Sequence, residues 1–172
     1  MDARQLRELQ APLKERYRNE PDSAITSVSA TATWTEPGIT TTVAGFSGPI
    51  RAGLHPSTGG DGTDACSGDL LLQALLACLG VTLRSVATAM SVGLDDVELL
   101  ATATFNASGT LGVDRSAPIG VSQIDVEIAA ASTVDDGVID RLLIATERYC
   151  VVGQSLAQTP RLSFRRKIPT RE

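Results

Sequence analysis

The sequence has few of the residues on which common active sites depend. It contains one histidine, His55, and three cysteines among 172 residues. No Cys-x-x-Cys pair occurs, so we expect neither a structural zinc site nor a disulfide-rich secreted scaffold. A Ser-His-Asp or Cys-His triad would depend on His55 alone. The sequence also lacks the glycine-rich motifs of dinucleotide and P-loop nucleotide sites and the Gly-x-Ser-x-Gly motif of hydrolases.

Long basic blocks and long apolar runs are also missing. Fifteen Lys and Arg residues against twenty Asp and Glu residues give a formal net charge of −5, and the longest basic block is 165–167. We therefore expect neither nucleic acid nor a membrane as a partner. The longest apolar run, 70–81, is interrupted by Gln73 and is shorter than a bilayer span. Because the N-terminus is charged and lacks an apolar signal core, a soluble cytoplasmic protein is expected.

The spacing of apolar residues predicts one mixed α+β domain, since a chain of this length suffices for one sizeable core. Pro12 is expected to kink or divide the first helix. The Gly- and Pro-rich passage 45–68 is long for a connector and is a candidate functional loop. In chain order we predict a helix over 2–20, strands within 25–34 and 39–43, the loop over 45–68, a helix over 69–90, strands over 94–107 and 119–131, a helix over 135–149 with Val138, Leu142, Ala145 and Tyr149 on its apolar stripe, and a closing strand over 161–168.

The helix predicted over 69–90 is apolar nearly all round. Ser67 is the expected N-cap, Asp69 lies in the first turn, where the helix dipole favours a carboxylate, and Gly93 is the expected C-terminal stop. A helix that is apolar on every face must be buried on all sides. The sheet of an 18.0 kDa domain covers only one side. We therefore predict a homodimer with this helix at or near its two-fold interface.

The three cysteines occupy different kinds of position. Cys78 lies inside the central helix, Cys150 ends the helix predicted over 135–149, and Cys66 lies in the glycine-rich loop. Cys66 and Cys78 are about 18 Å apart along a helical path, so they are not expected to pair. Burial as small hydrophobic residues is the usual role of free cysteines, and thiol chemistry is the alternative.

Two segments resemble motifs of the osmotically inducible protein C and organic hydroperoxide resistance (OsmC/Ohr) superfamily. The stretch CSGDLLLQALLAC, from Cys66 to Cys78, is similar to the family helix P-x-E-L-L-L-A-A-L-A-A-C, and Val81-Thr82-Leu83-Arg84 follows it. The segment ERYCVVGQSL, 147–156, resembles the second cysteine motif C-P-V-x-x-x-L. The resemblance covers about 25–168. It places an OsmC-like domain at 23–172, after an N-terminal amphipathic helical extension at 1–22.

This resemblance implies an α+β fold in which antiparallel sheets surround a buried central helix, within an intertwined homodimer that has its sites at the subunit interface. Family members reduce organic hydroperoxides and hydrogen peroxide without metal or haem, so no cofactor is expected. By position, Cys78 resembles the peroxidatic cysteine and Cys150 the resolving cysteine. Arg51 is the candidate for the activating arginine, and Asp69 stands where the family has glutamate. A dithiol reductant, whether thioredoxin-like, lipoyl or a low-molecular-weight thiol, completes the implied set of partners.

Two of these positions depart from the family pattern, since Asp69 stands in place of glutamate and Val151 in place of proline. Asp69 lies about half a turn around the helix from Cys78 and roughly 13 Å along its axis. It cannot contact that cysteine, so we expect it to hold Arg51 by a bidentate pair across the dimer. Val151 stands where the family has proline, which predicts a less constrained turn at Cys150.

Two functions remain as hypotheses. The first is a thiol-dependent peroxidase acting on organic hydroperoxides in oxidative-stress defence, because leucines and valines of the central helix line the site. The alternative is a dimer that binds a small apolar or acidic ligand in its interfacial pocket without turnover. Cys66 is either inert or a substitute resolving thiol. His55 is expected to be a solvated loop residue rather than part of a pocket.

Overall fold

The computed structural model describes residues 1–34 and 36–167. In chain order its elements are α1 (Ala3–Asn19), β1 (Ala32–Thr33), β2 (Thr40–Gly45), β3 (Gly48–Gly53), β4 (Ala65–Cys66), α2 (Ser67–Met90), β5 (Asp95–Thr104), α3 (Ala107–Thr110), β6 (Ser122–Ala131), α4 (Asp136–Tyr149), α5 (Val151–Gln154) and β7 (Arg161–Arg166). Short 3-10 helices span Pro21–Ala24 and Pro56–Thr58. One sheet has the strand order β1-β2-β3-β4, and the other has the order β5-β6-β7. The predicted α+β class is confirmed.

The sheets are not wholly antiparallel. Strand β2 pairs antiparallel with β1 and with β3. Strands β3 and β4 are parallel, and so are β6 and β7. The prediction of antiparallel sheets was therefore wrong for these two pairs. A parallel neighbour requires a crossover connection, which the chain makes through the segment 54–64 in the first case and through α4 and α5 in the second.

The chain forms two compact units. One comprises Met1–Thr26, Leu75–Thr102 and the described residues from Ile124 onward, and the other comprises Ser27–Ala74 and Ala103–Gln123. In the first unit the largest fully buried side chains come from α2, β6, α4 and the residue that follows α4. They are Leu75, Leu79, Val126, Ile128, Leu142, Thr146 and Cys150. This core therefore includes Cys150, which by position resembles the resolving cysteine of the family.

Helix α1 continues through Pro12, so of the two predicted effects, a kink or a division, the division does not occur. A capping box closes the N-terminus of this helix. The Asp2 carboxylate accepts the N–H groups of Arg4 and Gln5 at 2.8 and 2.9 Å, and the Gln5 side chain accepts the Asp2 N–H at 2.9 Å. No residue of this helix is buried.

Helix α2 ends three residues before Gly93, the glycine that was expected to stop it. Its last residue is Met90, and Ser91 takes the left-handed conformation with φ of 56°. The Ser91 N–H donates to the Thr88 carbonyl at 3.1 Å, and the Val92 N–H donates to the Ala87 carbonyl at 2.9 Å. This is the hydrogen-bond pattern of a Schellman cap. Gly93 follows the cap, so the prediction that it stops the helix was wrong.

Within one copy of the chain, α2 is buried along one stripe only, not on all sides as predicted. Leu75, Leu79, Leu83 and Ala87 form that stripe at a spacing of four residues. Val81, on another face, is 73% exposed. The helix is long and apolar enough to span a membrane by length and composition, yet a core helix passes the same test. One chain therefore leaves most of this apolar helix uncovered.

Three other predicted elements differ from the structure. The passage 45–68 is not a continuous loop, because β3 and β4 pair within it. Strand β1 has two residues rather than the longer strand expected within 25–34. The closing strand β7 ends at Arg166, and Ile168 lies outside the described residues.

The core-facing stripe of α4 is displaced from the predicted one. Its buried residues are Ile139, Leu142 and Thr146. Tyr149, predicted to lie on that stripe, is 62% exposed. Thr146 is tolerated in the core because its hydroxyl donates to the Leu142 carbonyl at 2.8 Å, so no polar group is left without a partner.

Candidate active site

Two of the four predicted site residues, Cys78 and Cys150, meet in the first unit. Cys78 lies in the fourth turn of α2 and is half-buried. Cys150 follows α4 and caps α5, where its sulfur accepts the Gly153 N–H at 3.4 Å. Its side chain is only 1% exposed. All three cysteines are free thiols, so the pair is described in its reduced form.

The Cys78 sulfur is surrounded by hydrogen-bond donors. Burial raises the pKa of the Cys78 thiol, because the charged thiolate is poorly solvated there. The N–H groups of Val152 and Val151, the Cys150 thiol and the Thr82 hydroxyl act in the opposite direction, since each stabilises the thiolate. The donors prevail, and the pKa of Cys78 lies below its ordinary value.

Cys150 is shifted in the opposite direction. Burial raises the pKa of its thiol, and so do its hydrogen bond to Cys78 and the negative charge that develops there, although the Gly153 N–H lowers the pKa. The shared proton therefore stays on Cys150 while Cys78 ionises first. This asymmetry separates a nucleophilic sulfur from one that keeps its proton.

Val151 contributes a backbone N–H to the surroundings of Cys78, which the sequence pattern alone did not indicate. Proline at this position would have no N–H, whereas the N–H of Val151 lowers the pKa of Cys78. The first N–H groups of a helix have no partner within it. Here the N–H of Gly153 donates to Cys150, while those of Val151 and Val152 lie at Cys78. The valine thus adds a donor to the site.

Arg51 lies in the second unit and pairs with Asp64, a residue that sequence reasoning missed. Its Nε is 3.1 Å from the Asp64 carboxylate, which is 13% exposed. The register explains this contact, because Ala52 of β3 is paired with Ala65 of β4, and the preceding residues of these parallel strands then stand side by side. The two strands are separated by the segment 54–64, and their parallel register is not indicated by any local sequence pattern.

A second carboxylate, Asp61, lies beside Arg51. The hydroxyl and the N–H of Thr63 donate to Asp61 at 2.7 and 2.9 Å. These bonds, with a smaller contribution from the charge of Arg51, hold the pKa of Asp61 below its ordinary value. Arg51, Asp61 and Asp64 all line a cavity of about 240 Å³ in the second unit.

Asp69 lies exposed in the first turn of α2, as the sequence predicts. Among the residues that the structure describes, it makes no ion pair. Within one copy of the chain Asp64, rather than Asp69, is the partner of Arg51. An Arg51–Asp69 pair across a dimer stays a prediction.

His55 and Cys66 line a separate cavity of about 260 Å³ in the second unit. His55 is half-buried rather than solvated, because its ring packs edge-on against Phe105 at a centroid distance of 5.3 Å. Its Nδ1 accepts the Ser57 N–H at 3.0 Å. Ile119 and Val121 complete an apolar wall. The expectation of a solvated loop histidine was wrong.

The sequence from the segment before β4 to β7 matches a known family. Residues 60–165 fit the family described as OsmC-like protein. The chain belongs to the OsmC-like protein family. The resemblance inferred from the two cysteine motifs is confirmed. None of the curated proteins is significantly similar to this OsmC-like chain.

Solved structures of several bacterial proteins share the OsmC-like fold of this chain. An OsmC-like protein from Mycoplasma pneumoniae is 16% identical, with a TM-score of 0.65 and coverage of 83% of this chain and 96% of the other. An organic hydroperoxide resistance protein from Legionella pneumophila is 17% identical, with a TM-score of 0.58 and coverage of 84% and 99%. The organic hydroperoxide resistance protein of Bacillus subtilis is 14% identical, with a TM-score of 0.57 and coverage of 84% and 100%. At these identities the likeness establishes the fold.

Proposed function

We propose that this OsmC-like chain is a thiol-dependent peroxidase in peroxide defence, which reduces organic hydroperoxides and also hydrogen peroxide through Cys78 and Cys150. The observation that supports it most directly is the opposite shift of the two thiols, with the pKa of Cys78 lowered and that of Cys150 raised at one hydrogen-bonded pair. The solved structures of organic hydroperoxide resistance proteins with this fold support the same choice.

The proposed reaction starts at the Cys78 thiolate. Its sulfur attacks the distal oxygen of R–O–OH, the O–O bond breaks, and the alkoxide takes up a proton and leaves as the alcohol R–OH. Cys78 is oxidised to sulfenic acid as the hydroperoxide is reduced. The Cys150 sulfur then attacks the sulfenic sulfur, so that a disulfide forms and water leaves. A dithiol reductant reopens the disulfide and returns both cysteines to thiols.

The apolar surroundings of Cys78 support an organic peroxide as substrate. Val81, three residues after Cys78 on α2, presents an apolar side chain that is 73% exposed within one copy of the chain. Transfer of an alkyl chain from water to such a surface is favourable, whereas hydrogen peroxide has no apolar group to transfer.

We place the reaction in the cytoplasm, where thiol reductants keep cysteines reduced.

The test of the proposed function is a stoichiometric oxidation. One equivalent of cumene hydroperoxide is added to the fully reduced protein, and its intact mass and free thiols are measured. We expect the mass to fall by two hydrogens and two of the three thiols to disappear, with Cys78 and Cys150 joined in the disulfide-linked peptide. An unchanged mass would contradict the peroxidase and favour the alternative, an OsmC-like dimer that binds a small apolar or acidic ligand without turnover.

We also propose that two copies of the chain form a homodimer through α2. This helix is apolar, yet only 22% of its most apolar window is buried within one copy. A second copy would cover this face, and its Arg51 and Asp69 would then be available to complete the site from across the interface.

A charge on the uncovered face of α2 tests the dimer. Sedimentation equilibrium of the wild-type chain is expected to give twice the 18.0 kDa of one copy. Val81→Asp is expected to shift the protein to monomers, because it would bury an unpaired carboxylate at the interface. Val113→Asp is the matched control, since Val113 is 79% exposed and lies outside α2. A monomeric wild type, or an undiminished dimer in Val81→Asp, would refute this interface.

A further inference from the structure

The cavity that His55 lines in the second unit is walled mainly by apolar side chains. Its volume is about 260 Å³, and its lining includes Leu54, Phe105, Ile119 and Val121. Among the residues that the structure describes, no Asp, Glu, Lys or Arg side chain lines it. A cavity of about 150 Å³ accepts benzene, so this one has room for a benzene ring with a few further atoms. Its size and lining favour a small neutral molecule.

The His55 ring supplies one hydrogen-bond donor at this cavity. Its Nδ1 accepts the Ser57 N–H at 3.0 Å, and the Ser57 hydroxyl lies 2.7 Å from the same nitrogen. Because Nδ1 accepts, the neutral ring carries its hydrogen on Nε2. Within the part of the chain that the structure describes, Nε2 has no hydrogen-bond partner. The N–H of Nε2 is therefore available to a bound molecule.

The backbone around the cavity is held in place before any ligand binds. The His55 carbonyl accepts the N–H groups of Thr58 and Gly60 at 2.8 and 3.1 Å, and the Thr58 hydroxyl donates to it at 2.9 Å. The buried Gly109 lies so close to Pro118, the residue before the lining isoleucine, that an added Cβ would be 3.1 Å from the Pro118 carbonyl oxygen. A site that is ordered beforehand loses less conformational entropy on binding.

We propose that this cavity is a second ligand site of the chain, which binds a small neutral aromatic molecule with one oxygen, such as a phenol, and donates from Nε2 of His55 to that oxygen. The rings of His55 and Phe105 already meet edge-on at 5.3 Å, and a bound ring can pack against them in the same way. The lining residues belong to the second unit, whereas Cys78 and Cys150 belong to the first. The inference therefore does not depend on the proposed peroxidase.

Fluorine NMR titration of the full chain with p-fluorophenol and p-fluorotoluene tests the hydrogen bond. The two probes share a ring, and only the first has an oxygen. We expect both to bind with saturation. His55→Phe keeps a ring at this position and removes the donor, so it is expected to weaken p-fluorophenol about fivefold and to leave p-fluorotoluene within about twofold. A wild-type chain that binds neither probe with saturation, or an equal change for both probes in His55→Phe, would overturn the inference.

A matched pair of charged variants locates the bound probe. Ile119 lines the cavity and is 66% exposed, whereas Val113 is 79% exposed in the same unit and does not line it. Ile119→Asp places a carboxylate at the apolar wall and is expected to weaken both probes at least about tenfold. Val113→Asp is expected to leave both Kd values unchanged. Equal weakening in the two variants would place the probe elsewhere and refute the site.

The thiol of Cys66, which lines the same cavity, gives a second readout of occupancy. At ten times its Kd, p-fluorophenol is expected to slow the alkylation of Cys66 by iodoacetamide about tenfold, because only the free chain reacts. Cys78, measured as a peptide of the same digest, is the internal control and is expected to react at its unchanged rate. No protection of Cys66, or equal protection of Cys78, would contradict the site. These measurements use no peroxide, so their outcome is independent of hydroperoxide reduction.

Discussion

Replacing Cys78 with serine is expected to abolish the reduction of organic hydroperoxide, by on the order of a thousandfold or more. Serine is nearly isosteric with cysteine, and the donors from Val151, Val152 and Thr82 would remain in place. Its hydroxyl, however, does not ionise near neutral pH, and oxygen has no stable counterpart to the sulfenic acid. Hydroperoxide consumption in the presence of excess dithiothreitol measures the loss.

The pH dependence of hydroperoxide reduction by the wild-type chain is a second test of the role of Cys78. Because the pKa of Cys78 lies below its ordinary value, the thiolate is still present at pH values where a free cysteine is protonated. The rate of hydroperoxide reduction is therefore expected to fall only below the range in which a model thiol has already lost reactivity. Cys78→Ser is expected to show no such titration.

Cys66→Ser is the control for this replacement. Cys66 lies in β4, within the second unit, whereas Cys78 and Cys150 both belong to the first unit. We expect this variant to keep the wild-type rate and still form the disulfide. Full activity in Cys78→Ser, or loss of activity in Cys66→Ser at unchanged thermal stability, would contradict the assignment of the reacting thiol.

The parts of the fold with strong local patterns could be predicted from the sequence. The apolar residues of α2 gave its position to within two residues, and α4 begins one residue after its predicted start. The last residues of both helices, Met90 and Tyr149, were also predicted, but the residue that caps α2 was not. Ser91 adopts the left-handed conformation that caps the helix, two residues before Gly93, the predicted stop. Similarly, the hydroxyl of Thr146 is satisfied inside its own helix, so a polar residue occupies the core stripe.

The parts of the site that depend on distant pairing could not be predicted. Asp64 meets Arg51 because β3 and β4 are parallel neighbours, a register set by tertiary structure. Motif comparison identified the cysteines and the replacement of proline by Val151. It could not show which backbone N–H groups lie near the Cys78 sulfur. The donors at Cys78 are mostly backbone and hydroxyl groups, and only their three-dimensional placement makes them functional.

Replacing Cys150 is expected to stop the second step of the reaction while its effect on the first step depends on the new residue. In Cys150→Ser, one equivalent of hydroperoxide is expected to add one oxygen to Cys78, and excess peroxide is expected to add a second, because no thiol condenses with the sulfenic acid. The serine hydroxyl can still donate to the Cys78 thiolate, and serine is also a good cap for α5.

Cys150→Ala separates these two roles of the second cysteine. Alanine removes the resolving thiol and also the side-chain donor that lowers the pKa of Cys78. Both variants should therefore lose the disulfide, but only Cys150→Ala should also slow the first oxidation at pH 7, by about threefold. Stopped-flow mixing with hydroperoxide, followed by intact mass, measures both steps. Disulfide formation in either variant would transfer the resolving role to Cys66, and equal first-step rates would show that Cys150 contributes only as a thiol that attacks the sulfenic acid.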